Sequence, residues 1–327
     1  MSNFRASLAQ HGYELLEKIG EGNFAVVYLA KHLRFNLEFV CKIIKSPTEF
    51  DDSEIKHLCA LDHQNIIRIY DYFRDNSTLY IILEYCPEGS LQDRIEHFGP
   101  LEYSFLVSCT KQTLQGLQHC HQYNIAHEDI KPANLFVGTN NRCKLGDFGL
   151  SQVIHYGEMK NKFNGSRAFA APEFINSKKY DPFKADIWAL GVTCFMLAEG
   201  RIPWDLGSIQ ELLNSILKCD LQFSDDTNPL YRDLIQKMLT VNPEERPSID
   251  GLLSHPVFNI SLKQSTSVDC KTSEISRSKL RFNFNRKMSI PITGGKKFIT
   301  GSSVNIIQPR YNKSSGLLPN ISSKRLI

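Results

Sequence analysis

The sequence changes character at Phe258, and that break limits what the chain can fold into. Residues 259–327 are rich in Ser, Thr, Asn and Lys and hold 13 Lys and Arg against two acids, Asp269 and Glu274, a net charge of +11. The whole chain is +3, so residues 1–258 carry −8. The basic tail is interrupted by Gly294-Gly295, Gly301 and Pro309 and shows no sustained helical or strand period, which reads as largely disordered. Folding therefore falls to the first 258 residues, near the size at which a single hydrophobic core divides into two. With 42% hydrophobic and 22% charged residues, the chain has the composition of a packed globular body and not of a fibrous or wholly disordered one.

Several function classes drop out on simple grounds. The first residues, Met1 to Leu16, lack the basic-then-apolar layout of a secretory signal, and the longest apolar run, Ile187 to Ala198, is too short to span a bilayer. The expectation is an intracellular protein with no membrane span, placed in the cytoplasm with the nucleus left open. Nine cysteines, an odd number without a C-x-x-C pair, suit neither a disulfide framework nor a zinc site. Charge alone would admit nucleic-acid binding by the +11 tail. No base-stacking pattern accompanies it, so no specific nucleic-acid partner is expected. The opposite signs of tail and body also raise an intramolecular contact between them.

Element patterns place strands first and helices later. Tyr13 to Ile19 and Ala25 to Lys31 flank the turn Gly20-Glu21-Gly22-Asn23-Phe24 and read as a hairpin, followed by a strand at Glu38 to Ile44. Ser46-Pro47-Thr48-Glu49 supplies a cap, a first-turn proline and an acid for a helix to about Cys59. Ile66 to Phe73 and Leu79 to Tyr85 read as two more strands. Helical patterns then run over Ser104 to Tyr123, Asp186 to Glu199, Ile209 to Cys219 and Leu230 to Leu239. The expected fold class is α+β, with a β-rich lobe over about 12–85 holding one key helix, a larger helical lobe over about 86–258, an extension at 1–11 and the tail at 259–327.

The glycine turn is weak evidence by itself, because Val26-Val27-Tyr28-Leu29 continues as strand, whereas a dinucleotide-binding turn must open a helix. Three later stretches are more specific. His127-Glu128-Asp129-Ile130-Lys131-Pro132-Ala133-Asn134, then Asp147-Phe148-Gly149 and Ala171-Pro172-Glu173, occur in the order and at the spacing of three motifs of one known family, which they resemble as its catalytic loop, metal-binding turn and activation-segment end. Over about residues 12–258 the sequence resembles the eukaryotic-type protein kinase family, with a Glu where the catalytic loop usually has Arg.

That resemblance implies a two-lobed fold, a Ser/Thr kinase activity and the cofactors ATP and Mg²⁺. Lys42 would grip the α- and β-phosphates and Glu54 would orient it; Lys45, on the opposite face of the strand, and Glu49 are the rivals. Asp129 would accept the hydroxyl proton, Lys131 would stabilise the transferring phosphoryl group, and Ser166 would brace both. Asn134 and Asp147 would hold Mg²⁺. Gly20, Gly22, Ala25 and Val27 would form the flap over the nucleotide. Val40 and Phe136 would enclose adenine, Leu83 would guard the back pocket, and Glu84 and Cys86 would offer hinge backbone groups. Leu58, Ile69, His127 and Phe148 would stack as a column across the lobes, and Arg246 would pair with Glu173. Protein hydroxyls on Ser or Thr are the implied substrates. The competing class is a pseudokinase scaffold, which would typically lack one of the retained residues Lys42, Asp129, Asn134 or Asp147.

Glu128 bears on regulation. In the family's usual arrangement an arginine here pairs with a phosphorylated residue of the activation segment. From Gln152 to Gly165 this chain has no Ser or Thr but offers Lys160 and Lys162. The expectation is that Glu128 pairs with one of these lysines; the alternative is that it faces solvent.

Overall fold

The structure is a computed structural model that describes residues 2–22, 25–45, 52–154, 158–160, 165–176 and 179–259. The basic tail, with its expected contact to the body, lies outside the described residues, as does the expected start of the first-lobe helix at Pro47.

The first lobe runs α1 (Ser2–Gln10), β1 (Tyr13–Glu21), β2 (Ala25–His32), β3 (Glu38–Lys45), α2 (Asp52–Cys59), β4 (Ile69–Asp75) and β5 (Thr78–Glu84). Among the described residues its strands form an antiparallel sheet in the order β1-β2-β3-β5-β4. Strand alternation divides β3 between the two faces. Phe39, Cys41 and Ile43 join one apolar cluster, while Val40 and Ile44 belong to clusters on the other side. Lys42 shares the second face and Lys45 the first, where its ammonium lies 5.6 Å from the Phe4 ring.

That first face is covered by α1, which sequence periodicity did not announce. Leu8 is fully buried, His11 stacks on Phe73 at 3.6 Å, Phe4 meets Tyr80 edge-on, and the Ser7 hydroxyl donates to Asp75. Burying a leucine of this kind contributes roughly 1.5–3 kcal/mol. β4 starts three residues later than the apolar run suggests. Ile66 bridges to Leu145, and the Ile67 amide donates to the Leu145 carbonyl at 2.8 Å, so those two isoleucines tie the lobes together instead of extending the strand.

The second lobe follows as α3 (Leu91–Phe98), α4 (Tyr103–Gln122), β6 (Ile125–Ala126), β7 (Leu135–Gly138), β8 (Arg142–Leu145), β9 (Gln152–Val153), α5 (Pro172–Asn176), α6 (Pro182–Glu199), α7 (Ile209–Lys218), α8 (Pro229–Met238) and α9 (Ile249–Leu253). Helix α6 is apolar all round and forms the centre of the core, capped by Asp181 at its start and by Gly200 at φ 71° at its end. At Gly191 it approaches its neighbour so closely that an added Cβ would lie 2.8 Å from Leu239. Thr110 of α4 and Tyr231 of α8 share a buried hydrogen bond of 2.7 Å. Arg246 donates to both carboxylate oxygens of Glu173, at 2.9 and 3.0 Å, and so ties the first turn of α5 to the base of the lobe. Helix α3 is absent from the expected elements, although Ser90 and Asp93 form a reciprocal capping box at its start.

Candidate active site

The polar centre of the site is built on loops that rigid elements hold in place. The backbone amides of His127 and Glu128 both donate to the carboxylate of Asp186, at 2.8 Å each, and His121 Nε2 lies 3.0 Å from the same group. Asp186, a buried residue of α6, thereby fixes the chain beside Asp129. The segment then forms a short 3₁₀ turn at Pro132–Asn134 and enters β7.

Asp129 sits among donors. Lys131 Nζ donates to its Oδ2 at 2.7 Å, Asn134 Nδ2 to Oδ2 at 3.0 Å and to the main-chain carbonyl at 2.8 Å, and Ser166 Oγ to Oδ1 at 3.1 Å. Lys131 also donates to Ser166 Oγ at 3.1 Å, so the three side chains close on one another. This arrangement presents a carboxylate whose position is fixed and whose lone pairs are partly engaged, flanked by a cation.

Asp147 lies at the turn after β8, in the left-handed region at φ 57° and ψ 67°. Its Oδ1 accepts from Lys42 Nζ at 2.6 Å, and neither side chain is more than 15% exposed. Burial would raise the Asp147 carboxyl, but the charge and hydrogen bond of Lys42, with Lys131 and His127 nearby, hold it below the usual carboxylate range. Gly149 lies close to this pair: a Cβ there would come 3.1 Å from Lys42 Nζ and 3.2 Å from Asp147 Oδ1. Phe148 packs on His127 with ring centroids 4.9 Å apart, and His127 Nε2 lies 3.0 Å from the Gly146 carbonyl oxygen.

Lys42 and Asp147 both line a cleft between the lobes. Val40, Leu83 and Phe136 give it apolar walls, and Glu84 and Cys86 lie along its edge. Glu84 is held by Lys144 at 2.9 Å, and burial pushes the Cys86 thiol up to about 12, so that sulfur stays neutral. Leu58, Ile69 and Phe148 line the same cleft.

Four of the expected flap residues are not among the lining. Gly20 pairs with Val27 across β1 and β2, Gly22 closes the hairpin turn by donating to the Ala25 carbonyl at 2.8 Å, and Val27 is buried in a cluster with Val40 and Phe136. Glu54 belongs to α2 by its backbone, and its side chain lies outside the described residues. Four lining residues escaped sequence reasoning, Ile19, Ile44, Ile67 and Ile81. Alternation along β1 offered a signal for Ile19, which directly precedes the first glycine of the turn. Ile67 carried none, because its place follows from the link to Leu145.

Glu128 is turned inward, with φ 63° and a side chain 6% exposed. Of the two candidate lysines, Lys160 is its partner, donating to Oε1 at 2.9 Å and Oε2 at 2.8 Å; Lys162 lies outside the described residues. Burial raises the Glu128 carboxyl above its usual range, and the hydrogen bond and charge of Lys160 oppose that rise.

Comparison with known proteins agrees with this geometry. The family model for the protein kinase domain matches residues 13–258. Sperm motility kinase 2B of Mus musculus is 34% identical over 259 residues, covering 78% of this chain and 52% of the mouse protein. Probable serine/threonine-protein kinase KCC4 of Saccharomyces cerevisiae is 32% identical over 279 residues, 80% of this chain and 27% of the yeast protein. The chain thus spans about half the length of the first relative and about a quarter of the second. With both lobes inside the matched region, this chain belongs to the protein kinase family.

Proposed function

We propose that the chain is an active Ser/Thr protein kinase, which transfers the γ-phosphoryl group of Mg-ATP to protein hydroxyls. The observation that carries this reading is the closed set Asp129, Lys131, Asn134 and Ser166, together with the buried Lys42–Asp147 pair that lines an interlobe cleft. The name of the yeast relative, a serine/threonine-protein kinase, supports the acceptor class.

The residues suit the groups that such a reaction needs. Val40 and Phe136 offer apolar walls of the kind that encloses a flat base, and the same cleft is lined by a lysine for phosphate oxygens. Asp147 and Asn134 offer hard oxygen donors of the kind Mg²⁺ takes. When bound, the metal neutralises charge on phosphate oxygens. Lys42 would then release Asp147 and hold the α- and β-phosphates. The transition state is loose, so positioning and charge neutralisation supply most of the rate. Asp129 orients the acceptor hydroxyl and takes its proton. Lys131, held by Asp129 and Ser166, faces the transferring oxygens with its positive charge. In this reading Gly20, Gly22, Ala25 and Val27 would carry the flap, and Glu54 would orient Lys42.

The test is incorporation of labelled phosphate from Mg-ATP into generic protein substrates, followed by identification of the modified residue. Wild type should label Ser or Thr, and Asp129→Asn and Asp147→Asn should each lose roughly 10²–10⁴-fold in rate. Equal labelling by wild type and Asp129→Asn would replace this reading with that of a partner-binding scaffold.

A further inference from the structure

Glu128 and Lys160 lie outside the transfer chemistry, yet they are among the most completely engaged charges of the second lobe. The Glu128 amide is held by Asp186 of α6 at 2.8 Å. Its carboxylate takes both hydrogen bonds from Lys160, whose side chain is 12% exposed, and a third from the Tyr180 hydroxyl at 3.3 Å. The backbones of Lys160 and Tyr180 exchange amide hydrogen bonds as well, at 2.9 and 2.8 Å. One short stretch of the activation segment is therefore tied at once to the loop that carries Asp129 and to the residue preceding the cap of α6. A carboxylate this buried is strongly unfavourable without a counter-charge, so Lys160 is required there.

We propose that Glu128 and Lys160 form a positioning clamp that orders the activation segment for protein-substrate docking without phosphorylation of that segment. The inference rests on the kinase reading and names its regulation. Its local logic is a reversal of charge. Where a basic residue would wait for a phosphate, an acid is already paired with a lysine encoded in the segment. A phosphate entering the same place would meet the carboxylate of Glu128. The sequence agrees, since Gln152 to Gly165 contains no Ser or Thr and only one other hydroxyl residue, Tyr156.

The clamp acts on one side of the site. Beyond it the segment continues to Ser166, which contacts Asp129 and Lys131, whereas Lys160 and Tyr180 contribute nothing to the cleft lining. Loosening it should disturb docking of the protein substrate and leave nucleotide binding intact.

The experiment uses the full chain and four variants, Glu128→Arg, Lys160→Glu, the swapped pair Glu128→Lys with Lys160→Glu, and Asp129→Asn. Wild type is dephosphorylated with a broad-specificity phosphatase, phosphates between Gly149 and Ala171 are mapped by mass spectrometry, and initial rates are taken with a generic protein substrate. Dephosphorylated wild type should keep its activity. Each single charge change should raise KM for the protein substrate or lower kcat by roughly tenfold or more, with KM for ATP unchanged, because one buried charge has lost its partner. The swapped pair should recover to within about threefold of wild type, a rescue that mere loss of folded protein does not give.

Hydrogen exchange at the amides of Lys160 and Tyr180 supplies a readout independent of turnover. Both should be protected in wild type, exposed in Lys160→Glu and protected again in the swapped pair. Loss of activity on dephosphorylation, with the lost phosphate mapped to the segment, overturns the clamp. So do single variants that match wild type in kinetics and exchange, or a swapped pair no better than the worse single. If wild type proves no more active than Asp129→Asn, the kinase reading fails by itself, and the exchange pattern still decides whether the clamp exists.

Discussion

Replacing Arg246 should cost the second lobe more than any surface change, and the structure allows the size to be worked out. The guanidinium is fully buried and donates to Glu173 at 2.9 and 3.0 Å, to the Lys184 carbonyl at 2.6 Å and to the Thr240 carbonyl at 3.1 Å. It also lies 5.2 Å from the Trp188 ring. Arg246→Met removes the charge but keeps much of the volume, leaving the Glu173 carboxylate buried alone, a loss of about 3–5 kcal/mol. At roughly 2–4 °C per kcal/mol for a domain of this size, the melting temperature should fall by roughly 6–20 °C. Adding Glu173→Leu removes the stranded charge and should return about half or more of the loss. The assay is thermal unfolding at pH 7 by circular dichroism for wild type, both singles and the double, at low and high salt. The wild-type value should respond weakly to salt, since the pair is shielded. A fall below about 2 °C for Arg246→Met, or a double variant that simply adds the two single losses, would refute the argument that an uncompensated buried charge sets the cost.

Most of the site was legible because its chemistry lies in contiguous stretches of sequence. Asp129, Lys131 and Asn134 fall within six residues, so a single loop carries all three. Lys42 was legible for another reason, since strand alternation puts it on the face opposite Lys45. The elements that were missed depend on tertiary contacts. The apolar residues of α1, Phe4 and Leu8, are too few to set a helical period, and the helix is fixed by Tyr80, Phe73 and Asp75 on the strands beneath it. The short helix α3 had a visible capping signal, Ser90 with Asp93, but only two buried side chains, Leu91 and Ile95, to mark its face. Ile66 and Ile67 read as strand because nothing local shows that Leu145, almost eighty residues later, will claim them. The choice between Lys160 and Lys162 likewise needed three dimensions. Both carry the same charge in the same stretch of sequence, and the backbone pairing of Lys160 with Tyr180 selects the first.

Two further predictions concern stability. Leu8→Ala should lower the stability of the first lobe by about 2–5 kcal/mol, read by urea denaturation, because the leucine is fully buried between α1 and the sheet. A change under about 0.5 kcal/mol would mean that α1 is not docked in solution. The second concerns Asp233, whose carboxylate accepts from Lys237 at 2.7 Å and lies 2.7 Å from His255 Nε2. The hydrogen bond from Lys237 and then that from His255 hold its carboxyl below the ordinary 3.8. The folded state thus favours the charged form. Its contribution is fully present above the unfolded value of 3.8 and is lost as the pH falls through the lower folded value. The side chain is 46% exposed, so after screening by solvent the contribution is at most ~1 kcal/mol. Asp233→Asn should therefore melt a few degrees below wild type at pH 5 to 7, and the gap should narrow as the pH falls below 3.8, where the unfolded chain takes up the proton before the folded one does. Melting curves taken across that range decide the matter: a gap that stays constant down to pH 3 shows that the ionised carboxylate was not the source of the difference.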